Sequence, residues 1–225
     1  NIKPIFKPWI TNVIASLSLI LSLAFGYHVL MHLPSIDFRA YKIGDNLIQN
    51  MSTPENAPKA VQEFKWTFEL NGQVQEVVTN GFYPNIDGTY VGVETKIISE
   101  GYQPSILDFS IETDAEDLTH FFLAEPRLLM IVAYNLDTAE VAGLKKLKAF
   151  SDAALDKGYT VIGLSASGKE VKKRIQSDYN LNFEFYLCDE KALKTVVRAN
   201  PGVLQLNEGT VEQKVHWNDI EDLAL

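Results

Sequence analysis

One cysteine and four histidines are the residues of this 225-residue chain best suited to redox, metal or acid–base chemistry near neutral pH. Cys188 lies in Tyr186-Leu-Cys-Asp-Glu190, at an expected strand end just before an expected helix. A helix N-terminus favours a thiolate, but Asp189 and Glu190 oppose one, so a buried, inert thiol is expected. His28 and His32 stand four apart and share a helix face, the spacing at which two imidazoles could hold one metal or haem iron. The plainer reading is two amphipathic rings in a headgroup layer, because no neighbouring acid or thiol completes a site. His120 precedes Phe121-Phe122 and His216 adjoins Trp217 and Asn218, both without a partner readable in sequence. No Ser-His-Asp pattern, phosphate-cradling glycine loop or zinc-ligand spacing occurs. Catalytic residues, a cofactor and a metal are therefore not expected. Lys169–Arg174 (KEVKKR) makes a basic helix face that could meet anionic lipid or an acidic partner, although a solvated surface is the more ordinary use.

The elements that must position these groups follow from an uneven composition. The chain is 46% hydrophobic and 22% charged, with 13 Gly and 9 Pro, which suits packed domains and excludes disorder, collagen and a disulfide-stapled miniprotein. Its net charge is −9, so nucleic acid is not an expected partner. Residues Pro8–Ile36 contain no charged side chain at all. The only basic residues before them are Lys3 and Lys7, so the rest of the chain is an acidic body.

Residues Ile10–Leu30 match the roughly 20 apolar positions needed to cross a hydrocarbon core as a helix. Ser22-Leu23-Ala24 resembles a signal cleavage site, but the length and flanks favour a retained anchor. Lys3 and Lys7 direct the N-terminus to the cytoplasm, which sends the body outward, into the periplasm of a bacterium. Trp9 and Tyr27 sit where aromatic residues prefer the headgroups. Ser16, Ser18 and Ser22 allow close approach of neighbouring helices, so the expected partners are other membrane subunits or helices and the lipid bilayer. The sequence opens with Asn rather than Met, and further membrane helices upstream are expected.

Four regions are expected. Residues 1–34 form the stub and membrane helix, and 35–60, with Pro54 and Pro58, an extended linker. Residues 61–103 form a small β unit, in which EFKWTFEL and QVQEVV flank the hairpin signal Asn71-Gly72 and TYVGVETKII supplies a third strand. From 104 to 225, strands (ILDFSI, RLLMIVAYNL, YTVIGLSAS, FEFYL) alternate with helices, and a hairpin around Glu208-Gly209 ends the chain. Such alternation predicts an α/β fold with a mainly parallel sheet between helices.

The run Arg198-Ala-Asn-Pro-Gly-Val-Leu-Gln-Leu-Asn-Glu-Gly-Thr-Val211 resembles the thioredoxin superfamily, in which a proline leads into a strand, a glycine turn and a return strand. ILDFSIETDAEDLTHFF is similar to the start of peroxiredoxin and TlpA-like domains, and YTVIGLSAS to their second core strand. The resemblance implies a thioredoxin-like domain from Pro104 to about Trp217, with Pro201 at the family's cis position. It also places the redox dyad at Asn135–Ala142, where no Cys stands. HLPSIDFRAYKIGDN after a membrane helix, GYQPSILDFSI and CDEKALKTVVRANPG together resemble the C-terminal portion of bacterial DoxX-like membrane proteins, with their last inner-membrane helix and a periplasmic thioredoxin-like domain. The function implied is a redox-inactive, membrane-anchored binding or scaffold module, an accessory subunit of an envelope complex. Its expected binding residues are Tyr134, Asp137, Glu140, Asn200 and Pro201. The alternative is the periplasmic part of a quinone-linked oxidoreductase whose catalytic residues lie in upstream helices.

Overall fold

In the computed structural model, which describes residues 7–225 and so leaves Lys3 outside the described residues, two compact units divide the chain. One runs up to Asn50 and resumes at Ile106; the other is Met51–Ser105.

The first unit begins with helix α1 (Pro8–Met31), which starts on a proline suited to the first helical turn. Its 24 residues span about 36 Å, and no side chain of it is buried. With no Asp, Glu, Lys or Arg and no buried side chain, the helix is long and apolar enough to cross a membrane. It stops where His32 turns extended ahead of Leu33-Pro34, since a residue before proline is pushed out of helical conformation.

The sheet of this unit has strands β4 (Leu128–Val132), β5 (Thr160–Ser165), β6 (Glu184–Leu187), β7 (Gly202–Asn207) and β8 (Thr210–His216), in the order β6-β5-β4-β7-β8. Strands β4, β5 and β6 are parallel; β7 runs antiparallel to β4, and β8 to β7. Every residue of central strand β4 is buried, as a strand covered on both faces requires. Leu129 and Ile131 share a core with Leu144 and Leu147 of α4 (Val141–Asp156) and Ile175 of α5 (Lys169–Asp178). Helices α3 (Thr119–Leu123) and α6 (Glu190–Val196) complete the order, and a cis Asn200-Pro201 bond leads into β7. This arrangement is the thioredoxin-like fold.

Two expectations are revised here. ILDFSI is no strand: Ile106, Phe109 and Ile111 are buried, but only Glu112 forms an isolated bridge, to Leu187 and Asp117. Its backbone is claimed locally instead, with Ile111 N–H donating to Thr119 Oγ1 and Leu118 N–H to the Ile111 carbonyl. The linker expected over 35–60 is likewise only partly a linker, because 35–50 folds onto β8. Leu47 N–H donates to the Gly209 carbonyl, Asn46 bridges Thr210, and Tyr41 and Leu47 are buried, with the short helix α2 (Leu47–Met51) following.

The second unit is a three-stranded antiparallel sheet, β2-β1-β3, of β1 (Val61–Leu70), β2 (Gln73–Thr79) and β3 (Thr89–Ser99). Asn71 and Gly72 both take positive φ, 54° and 80°, as the tightest hairpin turn demands. Phe64, Trp66 and Phe68 recur at period two on one face, and Phe68 is fully buried against Tyr83 and Tyr90.

Candidate functional site

The loop after β4 and the loop before β7 are brought together by strand order, because β4 and β7 are neighbours. Asn135 caps the single 3₁₀ turn Leu136–Thr138 by accepting from the N–H groups of Asp137 and Thr138. Its carbonyl accepts from Asn200 Nδ2 at 2.7 Å, and Glu140 N–H donates to the Asn200 carbonyl at 2.8 Å. The two loops are thereby latched to each other. Gly143 lets α4 press against them: a Cβ there would stand 2.8 Å from Pro201 Cδ and 2.8 Å from Trp217 Cγ.

Above the latch lies an open cavity of about 430 Å³. Tyr134, Glu140 and Asn200 line it. Asp137 does not: it turns outward into a 2.7 Å ion pair with Arg174. Pro201 is buried behind the wall and is absent from the cavity lining. Thr138 and Ala199 of the same two loops line it as well, while the rest of the lining escapes sequence reasoning: Arg198, His216 and Trp217, and Leu30 and Met31 from the end of α1. Proximity of His216 and Trp217 to Asn200 follows from the β7-β8 pairing, but nothing in the sequence announces that α1 ends there.

The polar atoms here suit recognition. Asn200 is 8% exposed, and its Oδ1 is buried without a hydrogen-bond donor. His216 Nδ1 accepts from the Asn218 N–H, leaving Nε2 to carry the proton of the neutral ring. Burial lowers the His216 pKa, with the neighbouring His32 acting in the same sense and Asp219 and Glu140 against it. Tyr134 carries the Lys194 ammonium over its ring at 5.2 Å.

His28 and His32 stack at 4.7 Å, and His32 Nδ1 meets Asp219 Oδ1 at 2.7 Å. The fold thus supplies the acidic neighbour that the local sequence lacks and uses it for a hydrogen bond. Among the described residues no group of three or more His, Cys, Asp or Glu could hold a metal ion. His120 begins the last turn of α3. The basic face of α5 is largely spent, with Lys169 paired to Asp114, Arg174 to Asp137, and Lys172 buried.

Cys188 stands on another side of the unit, between β6 and α6, and is 1% exposed. Burial is the largest cause that pushes its pKa up to about 11, and Asp189 and Glu112 add to it. The thiol is accordingly protonated and buried at neutral pH.

No protein-family model and no curated protein matches the sequence. Among solved structures the chain is similar to a thiol:disulfide interchange protein from Bacteroides sp., at 17% identity and TM-score 0.38 over 48% of this chain and 75% of that one. It is similar to reduced Prx3 from Vibrio vulnificus at 10% identity, with TM-score 0.39 over 48% and 80% of the two chains. With the apo Sco1 protein from Thermus thermophilus the identity is 13% and the TM-score 0.39, over 51% and 83%.

Proposed function

We propose that this chain is a membrane-anchored, redox-inactive thioredoxin-like module that works by binding, as an accessory subunit of a bacterial envelope complex with its body in the periplasm. One observation carries the reading: the two loops that face each other across the cis-proline are intact, latched and open to a cavity, yet contain no thiol. Thiol–disulfide exchange needs an accessible thiolate at that place, and the single Cys188 is buried elsewhere. What the face retains is a set of convergent polar groups on a partly apolar wall, the composition of a recognition site. Helix α1 supports the anchor by its length and its lack of acidic and strongly basic side chains. The likeness to the C-terminal part of DoxX-like membrane proteins belongs to the same proposal, and other membrane subunits or helices are the partners it implies.

Charge reversal at Glu140 tests the reading, because this exposed side chain lines the cavity while only its backbone holds the latch. In gently solubilised native membranes Glu140→Lys is expected to lose most of the co-purifying partner. Asp137→Lys is expected to weaken capture less, since Asp137 is turned aside toward Arg174. Undiminished capture by both variants would count against binding at this face.

A further inference from the structure

The segment that follows α1 displays three large apolar side chains that the protein leaves uncovered. Phe38 is 90% exposed, Ile36 69% and Ile43 60%. Asp37 ties this segment to the body of the unit. Its carboxylate is drawn inward by Arg39 Nε at 2.8 Å and Nη2 at 3.0 Å, and by Lys214 Nζ of β8 at 2.6 Å. Lys214 also donates to the Tyr41 carbonyl, and Tyr41 is itself buried. With residue 37 turned in, its neighbours 36 and 38 are left facing out. Ile36 and Ile43 line one open cavity with Leu33 and Pro34 and with the charged groups of Asp37, Lys42 and Lys214.

The chain itself says what can reach this surface. Ile36 is five residues beyond the end of α1, and Phe38 seven, which limits Phe38 to about 25 Å from the helix end even if fully extended. If α1 crosses a bilayer, that reach brings the collar within range of its surface, where interfacial side chains bury roughly 5–10 Å into the boundary between headgroups and acyl chains.

We infer that Ile36, Phe38 and Ile43 form a membrane-seating collar that inserts into the lipid interface and holds the α/β unit against the bilayer. The inference rests on the anchor reading of α1. Its consequence is positional: the cavity beside Leu30 and Met31 then lies at headgroup height, so the partner of Glu140 is borne by the membrane.

The buried state of Cys188 makes a direct test practical, because a single new cysteine can be labelled with the unmodified chain as background. Phe38→Cys, Ile43→Cys and Ile20→Cys, each in the full chain, are labelled with an environment-sensitive fluorophore. They are placed one copy per phosphatidylethanolamine/phosphatidylglycerol nanodisc, with lipids doxylated at shallow or deep acyl positions. The inference expects labels at 38 and 43 to emit to the blue of their position in denaturant and to be quenched more by shallow than by deep doxyl. The label at 20 is expected to be quenched more by deep doxyl. Quenching at 20 with none at 38 and 43 overturns the collar and leaves the anchor standing. No quenching at any position overturns both. A blue shift at 38 or 43 that ignores doxyl and appears only with two copies per disc assigns the surface to a second chain and likewise overturns the inference.

Discussion

Asp37 shows how one residue can control both stability and presentation. Burial by itself would raise its pKa, but hydrogen bonds from Arg39 and Lys214 outweigh this and hold the carboxyl well below its usual value of 3.8. A carboxylate whose pKa is lower in the folded state stabilises the fold fully above its unfolded value, and that contribution is lost as pH falls below 3.8 toward the folded value. Asp37→Asn removes this pH-dependent part and leaves the Lys214 ammonium, 4% exposed, without its counter-charge. The expected result is a loss of about 3 kcal/mol at pH 7 in denaturant titration, with a flatter acid limb than the parent. Adding Lys214→Met should restore part of the loss, because the buried charge is then gone. The pair is separated by 177 positions and was not legible in the sequence, where Asp37 reads as one acid in a linker.

At the scale of elements, α4 and the latched loops are set at a spacing that only glycine permits. Gly143→Ala puts a methyl 2.8 Å from both Pro201 and Trp217, and both are held, one by the β4–β7 pairing and one by the turn after β8. The change should cost about 1–3 kcal/mol in thermal or chemical denaturation, the range for overpacking a filled site. Lys145→Ala on the exposed side of the same helix should stay within about 0.5 kcal/mol. The periodicity of α4, the Asn71-Gly72 hairpin and the continuous apolar run of β4 were all legible, because each is dictated by residues close together in the chain. ILDFSI misled for the same reason: its alternation is that of a strand, but Thr119, eight residues on, takes the backbone N–H that a ladder would need. At the candidate site, Tyr134, Glu140 and Asn200 line one cavity, and Asp137 turns instead to Arg174, 37 positions away.

For the whole molecule, the decisive feature is a helix with no buried side chain attached to a unit with a fully buried central strand. The anchor reading predicts that the protein stays with membranes through alkaline carbonate washing. Ile20→Arg together with Leu23→Arg should release it, since each arginine near the middle of a membrane helix adds about 2.5–3.5 kcal/mol to insertion. The released protein should keep its α/β core, because neither side chain is packed against it. Retention of the double variant after washing would remove α1 as the reason for membrane attachment.

The sequence by itself determined the uncharged helix, the order of strands and helices from Leu128 onward, the two glycine-containing hairpins and a single thiol. These depend on composition and on contacts within a few residues, which leave a periodic or typed signal. Only the tertiary structure decided that 35–50 folds onto β8, that Asp219 meets His32, and that the end of α1 joins His216 and Trp217 at one cavity. Those contacts join residues up to 187 positions apart, and no local pattern encodes them. They exist because the sheet order brings β7 and β8 alongside β4 and presents the return strand to the segment leaving the helix.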